Sequence, residues 1–284
     1  MVNIEIDPAA GFCFGVDKVI GMAESMLRKG EKVYTLGEMI HNREEMKRLH
    51  SLGMITVEHR ELVSVKPESV LLRAHGEPPS TYRLAEKFHI KVIDGTCPIV
   101  LQLHKRIRQT YQAMDHDREQ LVIFGKPDHP ETISHLGQLD GDAVVISSPE
   151  EASKVDPGKR VILFSQTTMD PERFGEVEKK LKEHLLRSEC TICGEMKKRK
   201  PELAAFARKH DLMLFVSGRH SSNGKMLYEF CKSVNPATHW ISHAGEIDPA
   251  WLEGTTSVGV SGATSTSREQ LESVVHRVRE ITRS

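Results

Sequence analysis

Three cysteines stand where simple packing is a poor explanation. Cys13 lies in "GFCFGV", Cys97 in "DGTCP" and Cys193 in "CTICGEM", each just ahead of a stretch with helical periodicity. A thiol at a helix start meets the positive end of the helix dipole, which favours the thiolate, the form that binds metal or attacks. Between the cysteines, two classes of polar cluster recur, each after a β-branched run. The first holds His41 in "VYTLGEMIHN", His129 and Glu131 in "LVIFGKPDHPE", and Ser221, Ser222 and Asn223 in "LMLFVSGRHSSN". The second holds His75 in "LLRAHG", Thr167 in "ILFSQTT" and Ser265 in "VGVSGATS". The order cysteine, first cluster, second cluster occurs three times. The first step spans 28, 32 and 30 residues, the second 34, 38 and 42, and the cysteines are 84 and 96 residues apart.

Three thiolates restrict the chemistry. Structural zinc takes four ligands, usually in close pairs, and the one close pair here is Cys190–Cys193. An iron–sulfur cluster normally takes four cysteines, so three would leave one iron open to a substrate oxygen. Cys190 reads as a spare thiol, a redox partner of Cys193 or a fourth ligand. Cys231, in "MLYEFCKSV", reads as a core residue of a helix. The polar clusters are rich in hydrogen-bond donors set ahead of helices, which suits an anion such as phosphate or diphosphate. Taken singly each has a plainer reading, Ser265 or Ser267 as a helix cap (Ser267 with Gln270 makes a capping box) and Asn223 as a turn residue. Glu131 differs in kind. Near a dry site its carboxyl is expected to have a raised pKa and to deliver protons; the alternative is a solvated carboxylate in a helix first turn.

The elements that must position these residues alternate short apolar runs with amphipathic stretches. Strand signals include "KVYTLG", "SVLLRA", "IKVIDG", "QLVIFG", "DAVVIS", "RVILFS", "LMLFVSG" and "TSVGVSG"; a helix is expected over Asp17 to Arg28. That alternation is α/β with mostly parallel sheets. The repeat implies three similar α/β modules, over 1–96, 97–190 and 191–284, the last with the C-terminal helix. Each presents loops at the carboxyl ends of its strands, where open α/β sheets bind ligands. A pseudo-threefold arrangement would bring the three thiols to one centre. The formal net charge of −1 gives no basic field for nucleic acid, and no apolar run is long enough to span a membrane. With no signal-peptide pattern at "MVNIEID" and an odd count of five cysteines, a cytoplasmic location is expected.

On "GFCFGV", "HN" at His41, "AHG" at His75, "DGTCP", "HPE" at His129, "QTT" at Thr167, "TIC" at Cys193, "SSN" at Ser221 and "SGATS" ending at Ser265, the chain resembles the 4-hydroxy-3-methylbut-2-enyl diphosphate reductase family over essentially its whole length. The resemblance implies a trefoil of three α/β modules around a [4Fe–4S] cluster held by Cys13, Cys97 and Cys193. It implies that His41, His75, Ser221, Ser222, Asn223 and Ser265 grip a diphosphate, with His129 lining the cavity. Thr167 and Glu131 would order the substrate hydroxyl and bring protons. The substrate would lose that hydroxyl as water and yield isopentenyl or dimethylallyl diphosphate. No dinucleotide fingerprint follows a strand signal, so electrons are expected from a separate ferredoxin or flavodoxin. Departures from the family pattern lie after Cys193, where the chain reads "GEMKKRK" with Met196 in place of a threonine, and in the Lys126-Pro127-Asp128 loop. They leave open a paralogue acting on a different small hydroxy-diphosphate. A non-redox, zinc-containing phosphate-binding protein is the alternative of another class. The "KKRK" run reads as a solvated helix face or as a docking patch for an acidic electron carrier.

Overall fold

The structure is a computed structural model that describes residues 2–283. The chain alternates strand and helix almost throughout. It opens with β1 (Asn3–Ile6) and α1 (Phe14–Arg28), then β2 (Tyr34–Leu36), α2 (Arg43–Ser51), β3 (Ile55–Val57), α3 (His59–Val65), β4 (Ser69–Leu72), α4 (Pro79–Lys87) and β5 (Lys91–Asp94). It continues through α5 (Pro98–Ala113), β6 (Glu119–Phe124), α6 (Pro130–Gly137), β7 (Val144–Ile146), β8 (Arg160–Ser165), α7 (Pro171–Lys180) and β9 (Leu185–Ser188). It closes with α8 (Gly194–Ala207), β10 (Leu212–Val216), α9 (Ser222–Val234), β11 (Thr238–Ile241), β12 (Ser257–Gly262) and α10 (Arg268–Arg283). Short 3₁₀ turns bridge β7 to β8 and β11 to β12.

The strands form three four-stranded sheets, ordered β3-β2-β4-β5, β7-β6-β8-β9 and β1-β12-β10-β11, with every pairing parallel. Written from its edge, the third sheet is β11-β10-β12-β1. All three therefore share one order, second, first, third, fourth, with β1 as the fourth strand of the last sheet. The expected module 1–96 consequently does not close on itself. β1 pairs with β12, Ile4 opposite Val258 and Ile6 opposite Val260, so the first strand belongs with the last three. The period of the repeat is as read, and its phase differs: each cysteine follows the last strand of a sheet rather than opening a new one.

Covering helices explain the composition of the strands. The central strands β6, β8 and β10 are buried at nearly every residue, as parallel strands covered on both faces must be. Phe124, Phe164 and Phe215 lie on them and are fully buried. Helices add matching stripes, such as Val19, Ile20 and Ala23 of α1 and Leu271, Val274, Val275 and Val278 of α10. Cys231 is fully buried beside Leu227 in the cluster around Phe215, the core role expected of it. Ser267 and Gln270 form the expected capping box: Gln270 N–H donates to Ser267 Oγ (3.3 Å) and Ser267 N–H to Gln270 Oε1 (3.1 Å). By compactness the chain divides into a terminal unit (Met1–Arg28, Glu38–Met54 and Lys198–Ser284) and a central unit (Lys29–Gly37 and Ile55–Lys197). No helix among the described residues is long and apolar enough to cross a membrane.

Candidate active site

The chemistry-bearing residues sit at one end of every sheet, and always on the same three strands. After the first strand come His41, His129 and the Ser221–Asn223 group; after the third come His75, Thr167 and Ser265; after the fourth come Cys97, Cys193 and Cys13. First and third strands are neighbours in each sheet but leave it to opposite sides, which makes the topological switch point where α/β sheets hold ligands. The second, edge strand carries none of them.

Each cysteine is held in the same way. Its N–H donates to a carbonyl of the loop after the third strand of its own sheet: Cys97 to Ala74 (3.0 Å), Cys193 to Thr167 (3.0 Å) and Cys13 to Thr264 (3.1 Å). Its carbonyl accepts the first bond of the following helix, from Leu101 (3.0 Å), Lys197 (3.2 Å) and Asp17 (2.9 Å) respectively. Each of the three residues therefore sits at a helix N-terminus, half-buried. Cys190 is exposed and lines a small surface pocket with Ile99, Gln102 and Arg106.

In the central unit, α6 begins at "HPE". Pro130 takes the first helical position and His129 caps the helix, its Nδ1 accepting from Glu131 N–H (3.2 Å). The His75 and His129 rings meet edge to face, 5.2 Å between centroids. Gly76, beside His75, turns at φ +75°, and a Cβ there would lie 2.8 Å from His104 Cε1, so the turn and the crowding both demand glycine. Glu131, 2% exposed, faces the β8 loop: Thr167 N–H donates to Oε1 (2.6 Å) and Thr167 Oγ1 to Oε2 (2.8 Å). Burial alone would raise the Glu131 pKa. Donors to the carboxylate, the His135 ring first and then the Thr167 N–H, outweigh it with His129 beside them and hold the carboxyl below its ordinary value. The raised pKa expected from sequence is thus reversed, because burial came with donors.

In the terminal unit, three loops interlock. Asn42 caps α2 through Oδ1 while its Nδ2 donates to Ser265 O (2.8 Å) and to Gln270 Oε1 (2.7 Å), which anchors the backbone of His41. Ser221 caps α9, accepting from Gly224 N–H (3.0 Å), and Asn223 Nδ2 donates to Thr264 Oγ1 (3.1 Å). Ser222 opens α9 and is half-buried. Ser265 Oγ is buried with no hydrogen-bond partner among the described residues, a donor waiting for an acceptor. The loop after β10 presses so closely on His41 that a Cβ on Gly218 would stand 2.3 Å from His41 O.

Sequence reasoning passed over four residues that hold this machinery. Glu77, buried, binds His59 (2.7 Å), Arg73 (3.1 Å) and Thr81 (3.2 Å), pinning the turn after His75. His135 stands four residues after Glu131, and Asn42 was visible only as the second letter of "HN". Arg199 is the surprise in "KKRK": rather than facing solvent it is 3% exposed, pairs with buried Asp7 (2.7 Å) and donates to Ser261 Oγ (2.7 Å). Lys197 and Lys198 are exposed as expected. Met196 is buried in the first turn of α8.

The family model described as LytB protein matches residues 4–279. The 4-hydroxy-3-methylbut-2-enyl diphosphate reductase of Bacteroides fragilis is 46% identical over 284 residues, covering 98% of each chain. The enzyme of that name from Bacteroides thetaiotaomicron is 46% identical over 279 residues, covering 96% of each. A solved structure of (E)-4-hydroxy-3-methyl-but-2-enyl diphosphate reductase, the terminal enzyme of the non-mevalonate pathway, superposes with a TM-score of 0.73 at 34% identity, covering 99% of this chain and 100% of that one. The Plasmodium falciparum E-1-hydroxy-2-methyl-but-2-enyl-4-diphosphate reductase shares the fold, with a TM-score of 0.84 at 23% identity over 97% of this chain and 87% of that one. From a β1 that completes the last sheet to a C-terminal helix packed beneath it, the match takes in every loop described above, and the chain belongs to the LytB family.

Proposed function

We propose that this chain reduces 4-hydroxy-3-methylbut-2-enyl diphosphate, replacing its allylic C–O bond with C–H to give isopentenyl and dimethylallyl diphosphate. The balance is two electrons and two protons in, one water out. The observation that carries the reading is the buried Glu131–Thr167 pair, a hydroxyl held by a carboxylate at the carboxyl ends of β6 and β8. Its weight comes from the full-length similarity to reductases of that name.

Cys13, Cys97 and Cys193, each a thiol at a helix start, fit an iron–sulfur group, and we assign them as ligands of a [4Fe–4S] cluster. Such a cluster, when bound, supplies electrons singly and a Lewis-acidic iron without a protein thiolate. The chain's own residues do the rest. His41, Ser221, Ser222, Asn223 and Ser265 grip the diphosphate, with the start of α9 adding its dipole and the partnerless Ser265 hydroxyl its hydrogen. His75 and His129, ring against ring, extend the donor set. Thr167 presents its hydroxyl hydrogen to the departing oxygen and Glu131 refills it. Because Glu131 rests ionised, it must take up a proton in each turnover before it can give one. The electrons come from a separate one-electron carrier, a ferredoxin or flavodoxin, in a reducing cytoplasm suited to thiol ligands.

The test is anaerobic purification with iron and sulfide analysis, followed by reduction of the substrate with a chemical reductant and mass spectrometry of the product. Iron-loaded wild-type protein converts the substrate; Glu131→Gln keeps its iron and loses about 100-fold or more in kcat. Loaded wild-type protein that leaves the substrate untouched, or a Glu131→Gln variant at the wild-type rate, would refute the reading.

A further inference from the structure

The two oxygens of Glu131 are not equivalent. Oε1 accepts twice, from Thr167 N–H (2.6 Å) and from the His135 ring at Nε2 (3.2 Å). Among the described residues Oε2 meets one partner, the Thr167 hydroxyl (2.8 Å). A proton arriving on Oε1 would displace two donors. On Oε2 it needs only the hydroxyl to turn, since a hydroxyl both donates and accepts. Oε2 is therefore the oxygen that carries a mobile proton, and it faces the group that would pass it on.

His135 sets this asymmetry. It follows Glu131 by one helical turn in "HPETISHLG", so both side chains share a face of α6. The ring is fully buried, and Nδ1 has no hydrogen-bond partner among the described residues. A hydrogen placed on Nδ1 would bury an unpaired donor, so the single ring hydrogen belongs on Nε2, pointing at Oε1. The other charged or titratable groups that face this pair are few. His129, from the start of α6, acts on Glu131. His104 of α5 meets the His135 ring edge to face at 5.1 Å and bonds Ser134 Oγ (3.1 Å); Arg108 and Asp94 reach His104 only through space. The β8 loop contributes neutral Thr167 alone.

We propose that His135 is a positioning residue that closes Oε1 of Glu131 and so confines the working proton to Oε2, the oxygen bonded to Thr167. This rests on the functional reading above for what the proton does. In the step itself, Thr167 Oγ1 gives its hydrogen to the departing hydroxyl and takes the one on Oε2, leaving Glu131 as the carboxylate and water as the product.

The test needs a readout that a packing role would not move. The Glu131 carboxyl is titrated by infrared difference spectroscopy on the iron-loaded protein, its band identified by its loss in Glu131→Gln. Deleting a hydrogen bond to an ionised carboxylate weakens the charged form, so His135→Leu moves the midpoint up by about one to two pH units. The matching limb of the kcat profile moves with it, and kcat changes more than KM. His135→Gln, whose amide N–H reaches as far, brings the midpoint back to the wild-type position; His135→Asn, too short, behaves like His135→Leu. A leucine variant that titrates like wild type, or a shift that glutamine does not reverse, overturns the proposal. If the leucine variant fails to fold, the glutamine and asparagine variants decide by the same criterion. Should loaded wild type not reduce the substrate, the functional reading falls, while the carboxyl titration needs no turnover and still decides the role of His135.

Discussion

Replacing Gly218 by alanine tests whether the loops assigned above to the diphosphate are set by backbone contact. The added Cβ would stand 2.3 Å from His41 O, 3.1 Å from Asn42 Cα and 3.2 Å from His41 C. Carbon and oxygen cannot approach so closely, so the two chains must separate by about 1 Å to regain van der Waals contact. Neither side yields freely. Ser217 N–H is tied to Ile241 O (3.0 Å), Ser221 N–H to Gly218 O (3.1 Å), and Asn42 to Ser265 O (2.8 Å). Overpacking of this kind costs about 1–3 kcal/mol. In a protein of this size that lowers Tm by roughly 2–4 °C per kcal/mol. A displacement of about 1 Å in a positioning group can cost on the order of 100-fold, so kcat/KM should fall by roughly 10- to 100-fold. Inorganic diphosphate, titrated calorimetrically, should bind more weakly in parallel. Gly21→Ala is the control: it lies within α1, its Cβ would meet nothing within 4 Å, and it should stabilise by about 0.5–1 kcal/mol without touching kinetics. A Gly218→Ala protein with wild-type Tm, diphosphate affinity and kcat/KM would show that the loops are not set by this contact.

Three further outcomes follow from packing and charge. Phe164→Ala, at a fully buried site on β8, should cost about 3–5 kcal/mol in urea unfolding. Arg199→Met strands Asp7 as a buried charge and should cost about 3–5 kcal/mol, most of which Arg199→Met with Asp7→Leu recovers. Burial pushes the His104 pKa down to about 3, with the neighbouring His135 adding to the effect. An unfolded histidine titrates near 6.5, so the unfolded state gains the proton first and stability falls as pH drops from about 6.5 toward 3, by about 1.4 kcal/mol per unit. Urea unfolding at pH 7 and pH 5 should show about 2 kcal/mol of loss from this ring, absent in His104→Gln.

Much of this was legible along the chain. Eight strands announce themselves as apolar runs, and those most buried, β6, β8 and β10, are the clearest. The four without a clear signal, "NIEI", "ITV", "LLRS" and "THWI", are three or four residues long, and none is buried along its whole length. Overlooking "NIEI" is what misphased the modules, since a strand pairing across 254 residues leaves no local trace. The placement of the three cysteines was legible, because each stands directly ahead of a stretch with helical periodicity. The acid strength of Glu131 was not, because it depends on an N–H from Thr167, 36 residues away, meeting a ring four residues away on the same helix. Arg199 looked like a solvated charge among lysines until Asp7, at the far end of the chain, supplied its partner.

The placement of β1 beside β12 also sets an order of events during synthesis. Cys13 leaves the ribosome ahead of the other cysteines, yet Thr264, whose carbonyl fixes it, is translated 251 residues later and after all of them. Cys97 and Cys193 can each be tethered as soon as their own sheets are made. The first of these thiols out is therefore the last one seated. If the three thiols are ligands as proposed above, metal loading waits for that last sheet to close around Cys13 rather than accompanying the synthesis of each cysteine.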